Sequence, residues 1–286
     1  MKIYPINTGE VWIKTAQRKG KGRGLARRLN MFLDREWTSP LPILAWLIDH
    51  PEGPIVVDTG ETSHTAEPGY FPRWHPYYRY GVREEVTADQ EIGPQLARLG
   101  VDPMEVPIVV LTHFHTDHAG GIYHFPKSRW VVNPTDFDGA RGFLGKLRGF
   151  LPQHWPDWFS PDILVSVENA PDGPWEGFPY SFPITKDGRV RVVPTPGHTP
   201  GHQSVVVDDG AFVYFLAGDT SYDQDLLKTQ SLDGVTSVES AGLATMRKIL
   251  DLAERRPTIY LPSHDSDSIY RLHNREALQG VVHDFV

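Results

Sequence analysis

Short apolar runs recur along the chain and indicate buried β-strands. They are rich in Val, Ile, Tyr and Phe, and glycine or proline lies near their ends, which is typical of strands inside packed sheets. A further run near residues 43–49 has the same character. The runs that precede a histidine or an aspartate cover residues 54–57, 107–112, 190–193, 211–216 and 258–261. We predict a strand in each run.

Amphipathic segments between these runs predict helices. Residues 88–99 repeat apolar side chains at the spacing of one helical face, and Gly100 is a typical helix terminator. Two further helices are predicted over residues 135–141 and 239–255. Because strands and helices alternate, we expect an α/β fold with helices outside the sheets.

Three segments depart from this alternation, and we interpret them as candidate lids or inserts. Residues 14–28 carry seven Lys and Arg among glycines and predict a mobile loop or arm: a solvated loop, a flap over an anionic substrate or an arm between subunits. Residues 66–82 are rich in aromatic side chains that either wall a pocket or pack on the core, and their prolines argue against a regular helix. Residues 142–182, rich in Trp and Pro, form a second lid candidate.

Composition narrows the class of protein. No linker of low complexity divides the 286 residues, so we expect one domain over residues 1–286. The absence of cysteine excludes disulfides and thiolate metal ligands. A net charge of −8 argues against nucleic-acid binding. Because no apolar window could span a bilayer and the start lacks a signal-peptide layout, we expect a cytoplasmic protein without a membrane partner.

The densest chemical signal directly follows the run at 107–112. His113, His115, Asp117 and His118 lie within six residues. Neutral imidazole and carboxylate are ligands that zinc accepts, and alternate positions can aim side chains into one small volume. A lone histidine is more often a surface or core residue, but four donors in one loop predict metal binding. One tetrahedral ion that keeps a position open for water cannot use all four groups.

The other predicted strands end in further candidate ligands. His198, Asp219 and His264 each follow a strand, and loops at one edge of packed sheets can converge. We therefore predict two divalent ions, zinc first, with Co, Mn or Fe as alternatives. Asp58 is expected to orient a ligand histidine, and His202 is a candidate for a similar supporting role. The first ion is assigned His113, His115 and His198, the second Asp117, His118 and His264, and Asp219 bridges both.

Such a pair of ions favours hydrolysis. A metal-bridging hydroxide suits attack on an ester-like carbonyl or a phosphoester, because one ion polarises the oxygen that gains negative charge. Tyr222, three residues after Asp219, is predicted to donate a hydrogen bond to that oxygen; the alternative is a packed tyrosine that caps a turn. Asp117 is predicted to pass the shuttled proton to the leaving alkoxide. Both are therefore candidate catalytic residues.

These motifs, in this order, resemble the metallo-β-lactamase superfamily. The resemblance rests on residues 113–121 (HFHTDHAGG), on residues 196–202 (PGHTPGH), and on Asp219 and His264. It implies a four-layered αββα sandwich with a dinuclear metal centre at one edge of its two sheets, and the same ligand set. Within the superfamily, Asp219 followed by Tyr222 looks most like the quorum-quenching N-acyl-homoserine lactone lactonases, in which the tyrosine assists ring opening.

Departures from related families narrow the resemblance further. Zinc β-lactamases generally use a cysteine at the second ion, and this chain has none. Flavodiiron proteins carry a glutamate where this chain has His115. The missing cysteine and the histidine at 115 disfavour these two activities. Near the last ligand the superfamily often has glycine before the histidine, whereas this chain has Ser263, a departure that bears on the substrate more than on the chemistry.

The resemblance implies hydrolysis of a lactone, with an N-acyl-homoserine lactone as the leading small-molecule substrate. The alternatives on the same metal centre are hydrolysis of a phosphotriester and hydrolysis of a thioester, as in glyoxalase II. A mono-iron persulfide dioxygenase is the alternative from another class. A homodimer is compatible with the sequence, which does not fix the oligomeric state.

Overall fold

The computed structural model describes residues 1–160, 164–166 and 172–279. The strands in this part of the chain are β1 (Lys2–Ile13), β2 (Leu41–His50), β3 (Gly53–Val57), β4 (Val82–Glu85), β5 (Ile108–Val110), β6 (Arg129–Val132), β7 (Leu164–Ser166), β8 (Phe182–Pro183), β9 (Val190–Pro194), β10 (Gln203–Asp208), β11 (Val213–Gly218) and β12 (Thr258–Pro262). The α-helices are α1 (Thr15–Arg18), α2 (Gly24–Leu33), α3 (Pro76–Tyr80), α4 (Ile92–Arg98), α5 (Thr116–Ala119), α6 (Pro134–Ala140), α7 (Gly142–Leu147), α8 (Gln224–Lys228), α9 (Glu239–Arg255) and α10 (Ser268–Asn274).

The strands form two mixed sheets. The first has the order β4-β1-β2-β3-β5-β6-β7, and β3, β5, β6 and β7 run parallel to one another. The second has the order β12-β11-β10-β9-β8, in which β11 is parallel to β12 and β10 is antiparallel to both β9 and β11. The carboxyl ends of β3 and β5 therefore meet at one edge of the first sheet, and those of β9, β11 and β12 meet at one edge of the second.

Side-chain alternation along the strands explains the layers. On β2, Leu44, Trp46 and Ile48 belong to the core between the sheets, whereas Ala45 and Leu47 belong to the core under the helices, as a two-residue period requires. The core between the sheets also contains Val57 and Val110 of the first sheet and Val205, Leu216 and Leu261 of the second. Burial on both faces stabilises the two sheets as one unit.

Helices cover the outer face of each sheet. Ile92 and Leu96 of α4 pack on the first sheet, and Met246 and Ile249 of α9 pack on the second. The predicted αββα arrangement is confirmed, and the helix predicted over residues 239–255 has those bounds. Among the described residues, no helix combines the length and the apolar character needed to cross a bilayer.

The twelve-residue strand β1 was not predicted from the pattern. The register of β1 against β2 shifts between Asn7 and Glu10, so the alternation of side chains changes phase within the strand. Gly9 lies at this bulge with φ +147°, and a Cβ there would come to 2.6 Å from Val86 Cγ2. A continuous alternating pattern is therefore lost where the bulge forms.

The loop predicted for the basic segment is wrong in part. Residues 15–18 form α1 and residues 24–28 begin α2, whereas residues 19–23 connect the two helices without regular structure. Side chains outside the segment contact α1. The Asp34 carboxylate accepts hydrogen bonds from Ala16 N and Thr15 Oγ1, each at 2.6 Å, and Arg18 forms an ion pair with Asp223.

The two other insert candidates also contain regular structure. Pro76 begins α3 instead of preventing a helix, since proline fits the first turn, where no backbone donor is needed. In the third segment, α7, β7 and β8 are present, and residues 161–163 and 167–171 lie outside the described part.

Candidate metal centre

The loop after β5 carries four of the seven predicted ligands and is held tightly against the first sheet. Its second half is the single turn α5, which turns Asp117 and His118 back toward His113. Thr59 N donates to the carbonyl oxygen of His118 at 2.8 Å. Glycine is required behind this turn, because a Cβ on Gly120 would lie 2.4 Å from Glu61 Oε1.

The structure brings the first predicted ligand group together. His113 Nε2 lies 2.9 Å from His115 Nδ1, and His198 Nε2 lies 3.0 Å from the same atom. His198 belongs to the turn between β9 and β10, so the second sheet contributes one of the three nitrogens. The His115 ring stacks on Phe150 with centroids 4.8 Å apart, which fixes the plane of that ligand.

The second predicted group assembles beside the first. His264 Nε2 is 3.3 Å from Asp117 Oδ2, and His118 Nε2 is 3.9 Å from Asp117 Oδ1. Both nitrogens are buried, while Asp117 is partly open toward the pocket. Each group is thus a cluster of three donors whose ligand atoms lie within 4.8 Å of one another.

Asp219 lies between the two groups and presents one oxygen to each. Its Oδ2 is 3.4 Å from His198 Nε2 and 4.0 Å from His113 Nε2. Its Oδ1 is 3.1 Å from His118 Nε2 and 3.4 Å from His264 Nε2. A carboxylate in this position can bridge two cations, because each of its oxygens already faces a separate donor cluster.

The outer nitrogens of three of these histidines contact fixed acceptors. His118 Nδ1 lies 2.8 Å from Asp58 Oδ2 and His198 Nδ1 lies 3.1 Å from Asp233 Oδ2. His264 Nδ1 donates to the carbonyl oxygen of Pro42 at 2.9 Å. A backbone carbonyl can only accept, so the hydrogen of His264 lies on Nδ1 and the lone pair of the neutral ring lies on Nε2, facing the site.

Asp58 and His202 occupy supporting positions of different kinds. Asp58 has φ +60°, and besides His118 it accepts hydrogen bonds from Thr112 N at 2.7 Å and Thr112 Oγ1 at 2.9 Å. His202 Nε2 accepts from the backbone N–H of Asp219 at 3.1 Å. Burial and His198 lower the pKa of His202 to about 3, so its neutral ring remains an acceptor. Through Nε2, His202 therefore forms a hydrogen bond with the backbone of Asp219, and its ring also lies 5.2 Å, centroid to centroid, from that of His113.

Burial and neighbouring charges shift the pKa values of the ligand histidines in opposite directions. Burial and His198 lower the pKa of His115 to about 3. Burial opposes charge on His264, but Asp219 and Asp117 outweigh it and raise its pKa to about 10. Asp117 shows the reverse balance, because His118 and His264 overcome burial and lower its pKa to about 2. The carboxylates of Asp117 and Asp219 therefore favour a positive charge at the second ligand group, either a proton or a metal ion.

Buried atoms without partners show that the residues fit bound cations. His118 Nε2, His264 Nε2 and Asp219 Oδ1 are buried close to one another, but none of them makes a contact with hydrogen-bond geometry within the described residues. Polar atoms left in this way cost free energy unless something binds them. A set of imidazole nitrogens and carboxylate oxygens suits zinc and similar divalent ions.

A cavity of about 470 Å³ opens onto these residues. All three insert candidates contribute to its walls, with Gln17 from the first, Tyr77 from the second, and Leu147 and Phe150 from the third. Met31 and Phe32, which follow the first candidate on α2, also line the cavity. Tyr222 also lines it, with its ring 5.3 Å from that of His264. Because Tyr222 packs as well on Val11 and Leu226, it is both a packed tyrosine and a group at the site.

Sequence reasoning missed several residues that support the site. Asp233 holds His198 from 35 positions away, Phe150 stacks on His115, and Gln17 contacts the hydroxyl of Tyr222. None of the three lies in a motif, and their relation to the ligands arises only in the folded chain. No signal in the sequence could have identified them.

Comparisons with known proteins agree with this geometry. A model of the Metallo-beta-lactamase superfamily matches residues 38–264. The chain is 29% identical over 241 residues to a protein named N-acyl homoserine lactonase AttM of Azorhizobium caulinodans, and the match covers 80% of this chain and 83% of that protein.

Solved structures of lactonases share the fold. An N-acyl homoserine lactone hydrolase with the product N-hexanoyl-L-homoserine at its catalytic metal center superimposes with a TM-score of 0.74 at 19% identity, over 94% of this chain and 95% of that one. AidC, described as a dizinc quorum-quenching lactonase, superimposes with a TM-score of 0.64 at 15% identity, over 92% of this chain and 87% of that one.

Proposed function

The chain belongs to the metallo-beta-lactamase superfamily and is an enzyme, and we propose that it hydrolyses lactones at a centre of two divalent metal ions. The observation that carries this proposal is the position of Asp219, whose two oxygens face separate clusters of ligand atoms at one end of a pocket. The similarity to N-acyl homoserine lactonases supports lactones as the substrate class.

In the proposal, the residues of the two clusters would hold two zinc ions, with Co, Mn or Fe as alternatives. His113, His115 and His198 would hold one ion, Asp117, His118 and His264 would hold the other, and Asp219 would be shared by both. When bound, such ions lower the pKa of water and polarise the carbonyl oxygen of an ester.

Two side chains of the protein then take part in the reaction: Tyr222 donates a hydrogen bond and Asp117 transfers a proton. Tyr222 donates from its hydroxyl to the carbonyl oxygen as that oxygen gains negative charge. Asp117, which is ionised because its pKa is about 2, accepts a proton from the attacking water. It returns this proton to the ring oxygen when the carbon–oxygen bond breaks, so the product is an open hydroxy acid.

We propose an N-acyl-homoserine lactone as the substrate. The pocket has the size typical of small-ligand sites and combines apolar walls with the polar residues at its base. Met31, Phe32 and Leu147 offer apolar surface for an acyl chain, and the clusters at the base lie where the lactone carbonyl would react.

Acid release tests this proposal. Opening a lactone produces a carboxylic acid, which ionises near neutral pH and releases a proton that a pH-stat or an indicator dye records. Zinc-loaded protein is expected to open several N-acyl-homoserine lactones and to act more slowly on a paraoxon-like phosphotriester and on an acyl-glutathione thioester.

Two results would contradict the proposal. Faster turnover of the phosphotriester or the thioester would reassign the substrate class. Oxygen consumption with a persulfide, by protein containing one iron per chain, would reassign the chemistry.

A further inference from the structure

Gln17 links the basic N-terminal segment to the proposed reaction site. It lies in α1, is almost fully buried, and lines the pocket. Its Nε2 is 3.1 Å from Tyr222 Oη and 2.9 Å from Tyr77 Oη. One amide group thus holds two phenols from different parts of the chain.

The backbone around Gln17 is fixed on both sides. Its carbonyl oxygen accepts a hydrogen bond from Gly234 N at 2.7 Å, next to the Asp233 that contacts His198. The following residue, Arg18, forms the ion pair with Asp223, one position after Tyr222. The backbone of Gln17 is therefore held by residues that lie next to Tyr222 and next to the aspartate that contacts the predicted ligand His198.

The direction of the hydrogen bond decides what Tyr222 can do. A phenol has one hydrogen to donate and lone pairs with which to accept. Since Nε2 of Gln17 donates, it occupies a lone pair of Tyr222 Oη and leaves the phenolic hydrogen available. Within the described part of the chain, Tyr222 Oη has no other hydrogen-bond partner, so this hydrogen is free to point into the pocket. If the group at the position of Gln17 Nε2 were an acceptor, it would bind the phenolic hydrogen of Tyr222 and keep it from the substrate.

We infer that Gln17 is a positioning residue that donates to Tyr222 Oη and so keeps the phenolic hydrogen aimed at the substrate carbonyl oxygen. This inference rests on the proposed lactone hydrolysis. It assigns a role to α1, since the helix delivers the amide group to the site. Tyr77 receives the second hydrogen of the same amide, which fixes the rotation of the amide about its last bond.

A double-mutant cycle tests the inference with four variants: Gln17→Glu, Gln17→Met, Tyr222→Phe and the combination of Gln17→Glu with Tyr222→Phe. Removal of an oxyanion donor typically costs about 10²- to 10³-fold in kcat, so Tyr222→Phe sets the scale. Glutamate keeps the shape of Gln17 but can accept the phenolic hydrogen, and we expect it to lower kcat by more than about tenfold. Methionine only removes the donor, and we expect a loss of about threefold to tenfold.

The combined variant separates positioning from a merely structural role. With no hydroxyl left to position, Gln17→Glu should lower kcat by less than about twofold in the Tyr222→Phe background. KM should change little in either background. Lys19→Met is the matched control, since it removes an exposed charge at the end of α1 and leaves the contacts of Gln17 and the Arg18–Asp223 ion pair in place, and it should retain kcat within about threefold. Metal content and thermal unfolding of each variant show that the site and the fold persist.

Three outcomes would overturn the role of Gln17: wild-type kcat in Gln17→Glu, an equal loss of kcat with and without the Tyr222 hydroxyl, or a Lys19→Met variant as impaired as Gln17→Met. These outcomes differ from failure of the proposed function. If the wild-type protein opens no lactone, the function is wrong; if it opens lactones but the losses are additive, only the positioning role is wrong.

Discussion

The metal cluster and the pocket walls are built in opposite ways. The cluster lies at the ends of buried strands from both sheets, and its ligands are held by backbone groups and buried carboxylates. The walls include side chains of short helices outside the sheets. These helices also carry largely exposed apolar side chains outside the pocket lining, such as Leu25, Leu33 and Phe143. From this difference we expect the proposed chemistry to depend on the buried cluster and the choice of substrate to depend on the peripheral segments.

The largest expected effect comes from breaking the cluster at its shared ligand. Among the residues that the structure describes, Asp219 is the only carboxylate that presents one oxygen to each group. We expect Asp219→Ala to lower kcat/KM by about 10³-fold or more and to cause loss of bound metal. Lactone turnover and elemental analysis of the same preparation measure this. Activity within tenfold of wild type would show that the two groups do not depend on a shared ligand.

The supports behind the ligands should matter less than the ligands themselves. Asp58→Asn and Asp233→Asn weaken the contacts to His118 and His198, and each is expected to lower zinc affinity by about 10- to 100-fold. Competition with a chelator of known affinity measures this. Asp208→Asn is the matched control. Asp208 also forms an ion pair, with Arg256, but it lies at the end of β10 that is farther from the ligands. Equal losses in all three variants would indicate general destabilisation.

Metal binding should strengthen as pH rises. The pKa of His264 is about 10, so in the metal-free protein this ring holds a proton at neutral pH that an incoming ion must displace. Zinc affinity should therefore increase, by up to about tenfold per pH unit for each displaced proton, between about pH 6.5 and about pH 8.5. Zinc titrations in metal buffers across this range test the sign. An affinity that falls with rising pH would contradict the protonated state of the second group.

The smallest effect is expected at the walls and should appear in KM. Phe32→Ala removes an apolar side chain that lines the pocket, and we expect KM for long-chain lactones to rise about threefold to tenfold with little change in kcat. Leu33→Ala, on the same helix but outside the pocket lining, is the control and should behave as wild type. Kinetics with short and long acyl chains compares them. A large fall in kcat for Phe32→Ala would contradict the expectation that the pocket walls affect substrate binding and not the reaction at the metal cluster.

The contrast between the metal cluster and the pocket walls also explains which features could be predicted from the sequence. The ligand positions lie at strand ends, and both strand periodicity and ligand spacing are local properties that can be read directly, so the strand preceding His113 and the helix 239–255 were found. Roles for Asp58, Asp117 and Tyr222 remain predictions, although the structure places all three at the site.

Other features depend on contacts that no local pattern records. The bulge at Gly9 disrupts the alternation in β1, and the helical state of residues 15–18 depends on Asp34 and Asp223. Gln17 meets Tyr222 across 205 positions of the chain. Such pairs become visible only when the sheets bring distant segments together.

Anomalous scattering from crystals of active, zinc-loaded protein can locate the ions themselves. We expect two peaks at comparable occupancy, about 3.5 to 4 Å apart, one beside each oxygen of Asp219. Elemental analysis of the same sample should give two zinc ions per chain. A single peak, or none, in protein with full lactonase activity would contradict the two-ion centre on which the proposed reaction depends.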